Sequence, residues 1–425
     1  AQALAGTMAL DKLIAFDMGG TTAKASMIEN GEVTRAHEYA VGAGIMIGSR
    51  LLTGAGYTLK VPAIDLAEVG AGGGSHVWID AGGALQVGPE SAGATPGPVC
   101  YDTGGEVPTI TDANVVLGFL NPKHLIGGAL KLDAEKARRV FAAKIAEPLG
   151  LRLEAAAFGA HEIAASNMIR AIKAVSTERG RDPREFALFA FGGNGPLFAC
   201  GMAKSLGIGR AIVPPAPGLF SSFGLLYADV EHHYSRSFRR LLRHADFGEI
   251  AAAWQDLERQ AAQQLAVEGF TGARARLVRS GALHYRGQSF DLVVPVPDGP
   301  FDAAMAARLE EAFGREHEKT YGHRAGPGEP VELVSIQVVG RGLREGTGVP
   351  ERVLQSRPEP EPGPPRRVYF GAAHGWIETP ILKRSDLATL RTGPVIVEEY
   401  DATCVVQPGA MAGLDPGGNI LVTLL

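Results

Sequence analysis

The most constraining feature of this sequence is a short apolar run that leads directly into an aspartate and a pair of glycines. Residues 13–18 have the composition of a buried strand, and residues 17–22 read Asp-Met-Gly-Gly-Thr-Thr. A second strand-like run, 23–29, is followed by an Asn-Gly pair, and a third run covers 33–41. Because Asn-Gly between two such runs is the strongest local hairpin signal, the pattern predicts three consecutive antiparallel strands with a glycine turn after the first.

A unit of alternating strand and helix follows later in the chain. The apolar positions of residues 154–179 recur at spacings of three and four, which predicts a long helix. Residues 186–191 then read as a buried strand, 197–206 as a helix and 211–214 as a further strand. This order is a βαβ unit. Together with the three antiparallel strands, it predicts an α/β fold with a ribonuclease-H-like sheet.

The first glycine turn has the residues of a phosphate-binding loop. Glycines after a strand let backbone N–H groups approach phosphate oxygens, and the neighbouring threonine hydroxyls can donate as well. Asp17, at the end of the strand, is placed to hold a magnesium ion or to orient a nucleophile. The candidate ligands of the phosphate are Gly19, Gly20, Thr21 and Thr22. The alternative is a tight hairpin with a buried capping aspartate.

The second glycine turn lies between the strand and the helix of the βαβ unit. Gly192, Gly193 and Gly195 could admit an adenine ring or a ribose over exposed backbone at the start of the helix. The alternative is plain packing of the helix against the strand. The two turns, separated by a long helix, are what one nucleotide-binding lobe of the actin-like superfamily contains.

Two further segments carry candidate polar groups. Residues 68–75 include Glu68, a candidate catalytic carboxylate, and a candidate oxyanion or phosphate cradle formed by Gly72, Gly73 and Gly74. The alternative is a structural glycine loop. Asp112 either caps a helix that begins near Ala113 or contacts the cleft as a catalytic group.

Composition and the remaining motifs exclude several functional classes. The net charge of −5 does not favour binding to nucleic acid or to an acidic membrane. No apolar run approaches the roughly 18 residues of a membrane span, and the first residues lack the pattern of a signal peptide, so we expect a cytoplasmic protein. The sequence contains no P-loop, no Rossmann fingerprint, no GxSxG and no HExxH, and its three cysteines are scattered. We therefore expect no metal site formed by protein side chains alone.

Several long segments resemble, in order, the hydantoinase A / 5-oxoprolinase family. They include IAFDMGGTTAKASMIENG, EVGAGGGSHVWIDAGG, PTITDANVVLGFLNP, FGGNGPLFA, PPAPGLFSSFGLLYAD and GPVIVEEYDATCVVQPG. The resemblance implies an actin/sugar-kinase/Hsp70-like fold that uses ATP, with Mg²⁺, to activate a substrate carbonyl by phosphorylation. On that likeness, Asp17 and residues 19–22 would form the second phosphate loop of the family, and Gly192, Gly193 and Gly195 would line the adenosine pocket.

The family includes N-methylhydantoinases, 5-oxoprolinases, lactam hydrolases, and acetone and acetophenone carboxylases. We therefore expect a component of an ATP-dependent cyclic amidase that opens its substrate ring by hydrolysis. The alternatives are a subunit of an ATP-dependent ketone carboxylase and a non-catalytic scaffold. The resemblance also implies a hetero-oligomer with a B-type hydantoinase/oxoprolinase subunit, and a cyclic amide as substrate.

The sequence departs from the family pattern in two places. Family A chains usually begin with another lobe that carries its own DxGGT loop, whereas this sequence starts almost at the second. The alternatives are a fragment, a processed chain, and a split subunit whose N-terminal lobe is a separate partner. The usual GGAGPLHA reads GGNGPLFA here, with Asn194 and Phe198 in place of a small residue and a histidine. The expected regions are an actin-like lobe at 1–232, an α+β region at 233–345 and a β-rich region at 346–425.

Overall fold

The chain contains two compact units, each with its own core. The computed structural model describes residues 1–36, 39–41, 46–47, 57–59, 63–326, 328–343 and 361–424. The larger unit comprises Ala1–Glu178, Asp182–Leu226 and Val349–Leu425, and the smaller one comprises Arg179–Arg181 and Tyr227–Gly348. Within the described residues, no helix is both long and apolar enough to cross a bilayer.

A mixed sheet of ten strands forms the centre of the larger unit. In chain order the strands are β1 (Lys12–Met18), β2 (Ala23–Glu29), β3 (Glu32–Val33), β4 (Met46–Ile47), β5 (Leu66–Val69), β6 (Ala187–Phe191), β7 (Arg210–Val213), β8 (Arg391–Thr392), β9 (Ala410–Leu414) and β10 (Ile420–Leu424). Nine of them lie in the spatial order β8-β9-β10-β7-β6-β1-β2-β5-β4, and β3 pairs with β2.

The centre of this sheet has the predicted connections. β1 and β2 are antiparallel, while β6 lies between β1 and β7 and is parallel to both. The helices of the larger unit are α1 (Gln2–Thr7), α2 (Ile110–Leu117), α3 (Ala134–Phe141), α4 (Leu153–Val175), α5 (Gly195–Leu206) and α6 (Phe220–Tyr227). Because α5 connects β6 to the parallel β7, the predicted βαβ unit is confirmed.

The predicted hairpin after β2 is confirmed, but the third strand is shorter than expected. Asn30 and Gly31 both have a positive φ, 55° and 73°, as this kind of two-residue turn requires. β3 ends at Val33, where the N–H of Thr34 donates to the carbonyl of Met27 at 2.9 Å. Beyond it, the short strands Arg35–Ala36 and Tyr39–Val41 pair with Ala63–Ile64 and Tyr57–Leu59. The predicted run 33–41 is therefore divided, and residues 37–38 lie outside the described residues.

The C-terminal strands extend the same sheet instead of forming a separate layer. β10 pairs antiparallel with β7, from Arg210 opposite Thr423 to Val213 opposite Ile420. The buried guanidinium of Arg384 donates to the carbonyls of Val213 and Pro214, at 3.2 and 2.8 Å, which ties this segment to the end of β7. The contacts thus group residues 349–425 with the first predicted region. The predicted domain boundaries themselves stay a prediction.

The remaining strands of the larger unit form small sheets around this centre. They are Ser75–Ile79 with Leu85–Ser91, His124–Leu125 with Leu130–Lys131, Arg366–Tyr369 with Trp376–Thr379, and Ile381–Leu382 with Val395–Glu398 and Thr403–Val406. The first of these pairs is a hairpin, in which Ile79 lies opposite Leu85.

The smaller unit is an antiparallel sheet packed with two helices. Its strands lie in the order Val230–Leu241, Val331–Gly342, Ala275–Tyr285 and Leu292–Val296, and its helices are α7 (Phe247–Val267) and α8 (Ala303–Tyr321). Trp254 of α7 and Phe313 of α8 are buried in one core with the strand residue Leu333. The first strand was not predicted, because its sequence, VEHHYSRSFRRL, is mostly polar and its side chains are mostly exposed or half-buried.

A buried histidine lies in the core between α2 and α4. The Nδ1 atom of His161 is 2.9 Å from the Oδ1 atom of Asn114, and its ring stacks on Phe198 with the centroids 4.2 Å apart. Burial lowers the pKa of His161 from 6.5 to about 3, so the imidazole is neutral at physiological pH. Phe198, which replaces the histidine of the family pattern, thus packs against a neutral ring.

The lowered pKa of His161 predicts a loss of stability in mild acid. Below pH 6.5 the unfolded chain binds a proton at this residue that the folded chain does not bind until about pH 3. The free energy of unfolding should therefore fall, from this group alone, by about 1.4 kcal/mol per pH unit. Urea unfolding of the wild type and of His161→Phe between about pH 6 and pH 4.5 measures the difference in slope. His374→Gln, an exposed histidine, is the control; equal slopes in all three proteins would contradict the prediction.

Candidate functional site

The turn between β1 and β2 is tight and partly exposed. The N–H of Gly19 donates to the carbonyl of Thr22 at 3.1 Å, which closes the turn directly after β1. Gly20 and Thr21, at its tip, are exposed. No described residue accepts a hydrogen bond from the backbone N–H of Gly20 or Thr21. Two free N–H groups at the tip of a glycine turn can bind an anion.

A second glycine loop, residues 72–74, packs against this turn and is hydrogen-bonded to it. The N–H groups of Gly73 and Gly74 donate to the carbonyls of Gly19 and Gly20, at 3.1 and 2.6 Å. A Cβ atom on Gly72 would lie 2.5 Å from backbone atoms of Gly20 and from the backbone N atom of Thr21, so only glycine allows the two backbones to approach this closely.

This arrangement changes the interpretation of Gly72, Gly73 and Gly74. All three are buried, and the remaining N–H, that of Gly72, donates to the Ser75 hydroxyl at 2.8 Å. Because their N–H groups already have protein acceptors, the loop is better suited to hold the first turn in place than to contact phosphate directly. A direct contact of these glycines with a cofactor stays a prediction.

The third glycine turn, between β6 and α5, joins the same junction. The backbone N–H of Asn194 donates to the carbonyl of Met18 at 3.0 Å, and its side-chain amide donates to the carbonyl of Gly19 at 3.1 Å. Asn194, the residue that departs from the family pattern, thus connects the first and third turns. Gly193 is exposed beside it, and Gly195 is the first residue of α5. The structure therefore brings all three predicted glycine segments together.

Asp17 lies half-buried at this junction, next to the exposed turn. Its Oδ2 atom accepts a hydrogen bond from the Ser221 hydroxyl at 2.7 Å. A Cβ atom on Gly192, which has a φ of 81°, would be only 2.4 Å from the Oδ1 atom of Asp17 and 2.4 Å from the carbonyl oxygen of Met18. The carboxylate therefore lies in a narrow space between α6 and the third turn.

Glu68 does not reach this carboxylate. In the sheet, Asp17 is opposite Lys24, and Lys24 is opposite Glu68 on β5. The three side chains are thus on one face, with Lys24 between the two acids, and neighbouring strands are about 4.8 Å apart. The Lys24 ammonium lies 3.6 Å from the Glu68 carboxylate. Glu68 is therefore the partner of a lysine that sequence reasoning did not assign, and its catalytic role stays a prediction.

Asp112 has the capping role that was one of its two alternatives. Thr109 is the N-cap of α2, and the Asp112 carboxylate accepts from the N–H and the hydroxyl of Thr109. It also accepts from the N–H groups of Val99 and Cys100, at 3.1 and 2.7 Å, and is fully buried. A carboxylate with four protein donors and no access to solvent is suited to a structural role. The helix begins at Ile110, three residues before the predicted Ala113.

No protein metal centre accompanies these groups in the described part of the chain. No cluster of three or more His, Cys, Asp or Glu side chains there is arranged to hold an ion. Burial raises the pKa values of the Cys100, Cys200 and Cys404 thiols, which keeps all three protonated and unreactive.

Comparison with known families matches both parts of the chain. Residues 1–234 match the hydantoinase/oxoprolinase family, and residues 241–419 match the hydantoinase/oxoprolinase C-terminal domain. An uncharacterized protein of Methanocaldococcus jannaschii is 40% identical over 97% of this chain and 58% of its own length. Caprolactamase subunit alpha of Pseudomonas jessenii is 32% identical over 97% of this chain and 58% of its own length. The chain thus spans less than two thirds of either relative.

Two solved structures share the fold. The crystal structure of the ATP-dependent caprolactamase from Pseudomonas jessenii matches 99% of this chain and 60% of its own, with a TM-score of 0.85 and 31% identity. The nucleotide-free structure of acetone carboxylase matches 100% of this chain and 60% of its own, with a TM-score of 0.72 and 26% identity. By sequence and by fold, this chain belongs to the hydantoinase/oxoprolinase family.

Proposed function

We propose that this chain is a component of an ATP-dependent cyclic amidase. The observation that carries the proposal is the junction of the three glycine turns, where the exposed residues Gly20 and Thr21, whose N–H groups have no acceptor among the described residues, are on the turn that follows half-buried Asp17. The fold likeness to an ATP-dependent caprolactamase supports the same assignment. We assign the larger unit to the actin/sugar-kinase/Hsp70-like type, because three antiparallel strands run into a parallel βαβ unit at the centre of its sheet.

Each part of the junction suits a step of phosphoryl transfer. ATP would supply a phosphoryl group to the amide oxygen of the substrate, which makes the carbonyl carbon easier for water to attack, so that the ring C–N bond can then break and the phosphate be released by hydrolysis. The N–H groups of Gly20 and Thr21 would donate to phosphate oxygens, which stabilises the charge that builds up on them. Asp17 would orient the water shell of a magnesium ion, a cation that prefers carboxylate and phosphate oxygens. Gly193, exposed at the start of α5, would leave room for adenosine.

The partners in this proposal follow from the family and from the length of the relatives. The caprolactamase chain that this protein resembles is itself a subunit, named alpha. We propose that a B-type subunit completes the reaction, by hydrolysing the activated ring. The relatives are longer than this chain, and we also propose that a lobe outside these 425 residues supplies the other half of the ATP cleft.

A second candidate function is ATP-dependent carboxylation of a ketone. It is favoured by the structural likeness to acetone carboxylase, which extends over the whole of this chain. The two candidates use the same nucleotide chemistry and differ in the substrate that receives the phosphoryl group. A non-catalytic scaffold that has lost nucleotide binding is a third candidate.

Substrate-dependent ATP hydrolysis by the native complex separates these functions. The complex is co-purified from its source through a tag on this chain, and phosphate release is measured with hydantoins, 5-oxoproline, a lactam, or a ketone plus bicarbonate. We expect a cyclic amide to stimulate phosphate release and to give the ring-opened product. Stimulation by ketone plus bicarbonate alone would replace the amidase by a carboxylase. Failure of the intact complex to bind ATP in calorimetry would favour the scaffold.

A further inference from the structure

The segment that follows β7 borders the candidate site, although no role has been assigned to it. The carbonyl of Pro217 accepts the N–H of Gly192 at 2.8 Å, which joins this segment to the third glycine turn. A Cβ atom on Gly218 would lie 2.7 Å from the carbonyl oxygen of Asp401, so the segment also packs closely against the C-terminal region. Ala216 has a φ of 49°, a left-handed conformation that is costly for a residue with a side chain. Two close contacts thus hold a strained segment in one position.

This segment leads into α6, whose second residue contacts Asp17. The Ser221 hydroxyl donates to the Oδ2 atom of the Asp17 carboxylate at 2.7 Å. The other oxygen, Oδ1, faces Gly192, where not even a methyl group would fit. The carboxylate is therefore held on one side by a donor and confined on the other by backbone. A hydrogen bond to a carboxylate is stronger than one between two neutral groups, so this contact favours one orientation of the side chain.

We propose that Ser221 is a positioning residue for Asp17. This inference rests on the proposed function, because it concerns how Asp17 is oriented toward a magnesium nucleotide. Ser221 itself does not contact the nucleotide in this proposal. It holds Oδ2, so that the carboxylate keeps the orientation in which it can order magnesium-bound water. Without the hydroxyl, the Asp17 side chain can rotate. Binding of the magnesium nucleotide must then also restrict this rotation, which makes binding less favourable.

Ser222 provides a matched control for this proposal. Both serines are exposed and lie in α6, and the Ser222 hydroxyl forms no hydrogen bond to another described residue. Ser221→Ala and Ser222→Ala therefore change helix propensity and surface equally, and differ in the contact with Asp17. Ser221→Thr keeps a hydroxyl and should rescue the function in part.

The readout is the contribution of magnesium to nucleotide binding. In the complete native complex, calorimetry gives the affinity for ADP with Mg²⁺ and with EDTA. In Ser221→Ala we expect the gain in affinity due to Mg²⁺ to fall by roughly tenfold, the lower range for loss of a residue that orients a metal ligand. Affinity in EDTA should stay unchanged. The Mg²⁺ concentration for half-maximal ATP hydrolysis should rise by a similar factor.

Three results would overturn the proposal. Ser221→Ala could behave like Ser222→Ala, which would mean that the contact with Asp17 has no functional role. It could instead weaken ADP binding equally with and without Mg²⁺, which would indicate a general structural effect. A wild-type complex that neither binds nor hydrolyses ATP would contradict the proposed function itself, and the inference with it. The first two results leave a working wild-type enzyme and so contradict the positioning role alone.

Discussion

Replacing Asp17 with asparagine is expected to lower the kcat of substrate-dependent ATP hydrolysis by roughly 10³-fold, the upper range for removing one group that stabilises transition-state charge. Asparagine has nearly the same shape and can still accept the hydrogen bond from Ser221, so the fold should be preserved. What is lost is the negative charge beside the exposed turn, on which ordering of a magnesium ion depends. The measurement is steady-state phosphate release by the native complex with its best substrate.

The control for this variant is Asp11→Asn, an exposed aspartate that precedes β1. It changes the net charge by the same amount and should retain wild-type kcat. Binding of ATP in EDTA shows whether a lower kcat is accompanied by weaker nucleotide binding. Asp17→Asn should bind the metal-free nucleotide at least as well as the wild type. Wild-type kcat in Asp17→Asn would show that the carboxylate lies away from the reacting phosphate, and the site would have to be placed elsewhere.

The meeting of the glycine turns at this site could be predicted from the sequence, because glycine is favoured where the backbone adopts a tight turn or approaches another group closely. Glycines directly after a strand indicate a turn that another backbone or a ligand approaches closely. All three glycine segments accordingly meet at one junction. The sequence alone, however, does not distinguish a glycine that packs against another backbone from a glycine that contacts a ligand. Gly72 is required because the Gly20–Thr21 peptide packs against it, whereas the N–H groups of Gly20 and Thr21 have no acceptor among the described residues and so can bind a ligand.

The side-chain part of the site was harder to predict, since it depends on contacts between distant segments. Ser221 and Asp17 are 204 residues apart, and a serine in an apolar helix carries no signal for a carboxylate at the end of another strand. Lys24 could have been found, because strict pairing in a hairpin places it opposite Asp17. Asp112 was ambiguous, because the same Thr-x-x-Asp spacing that forms a capping box also occurs in functional loops.

Replacing Gly192 with alanine should lower kcat/KM by about 100-fold or more, the effect expected when a catalytic group moves by about 1 Å. The new methyl group would lie 2.4 Å from both the Asp17 carboxylate and the carbonyl oxygen of Met18, so one of the two must move. Met18 is fully buried in β1, and its carbonyl accepts from Asn194, so we expect Asp17 to be displaced. The φ of 81° adds roughly 1–2 kcal/mol of strain for any residue with a side chain.

Gly207→Ala separates the displacement of Asp17 from the strain. Gly207 has a similar φ of 70° and ends α5, and the nearest atoms to a new Cβ belong to the flexible side chain of Arg184 at 3.3 Å. This variant should lose stability in thermal unfolding but keep wild-type kcat/KM. Since both variants carry the same backbone strain, loss of activity in Gly192→Ala alone would locate the effect at Asp17. Equal activity in the two would mean that the carboxylate tolerates displacement, and the narrow space around it would then have no catalytic role.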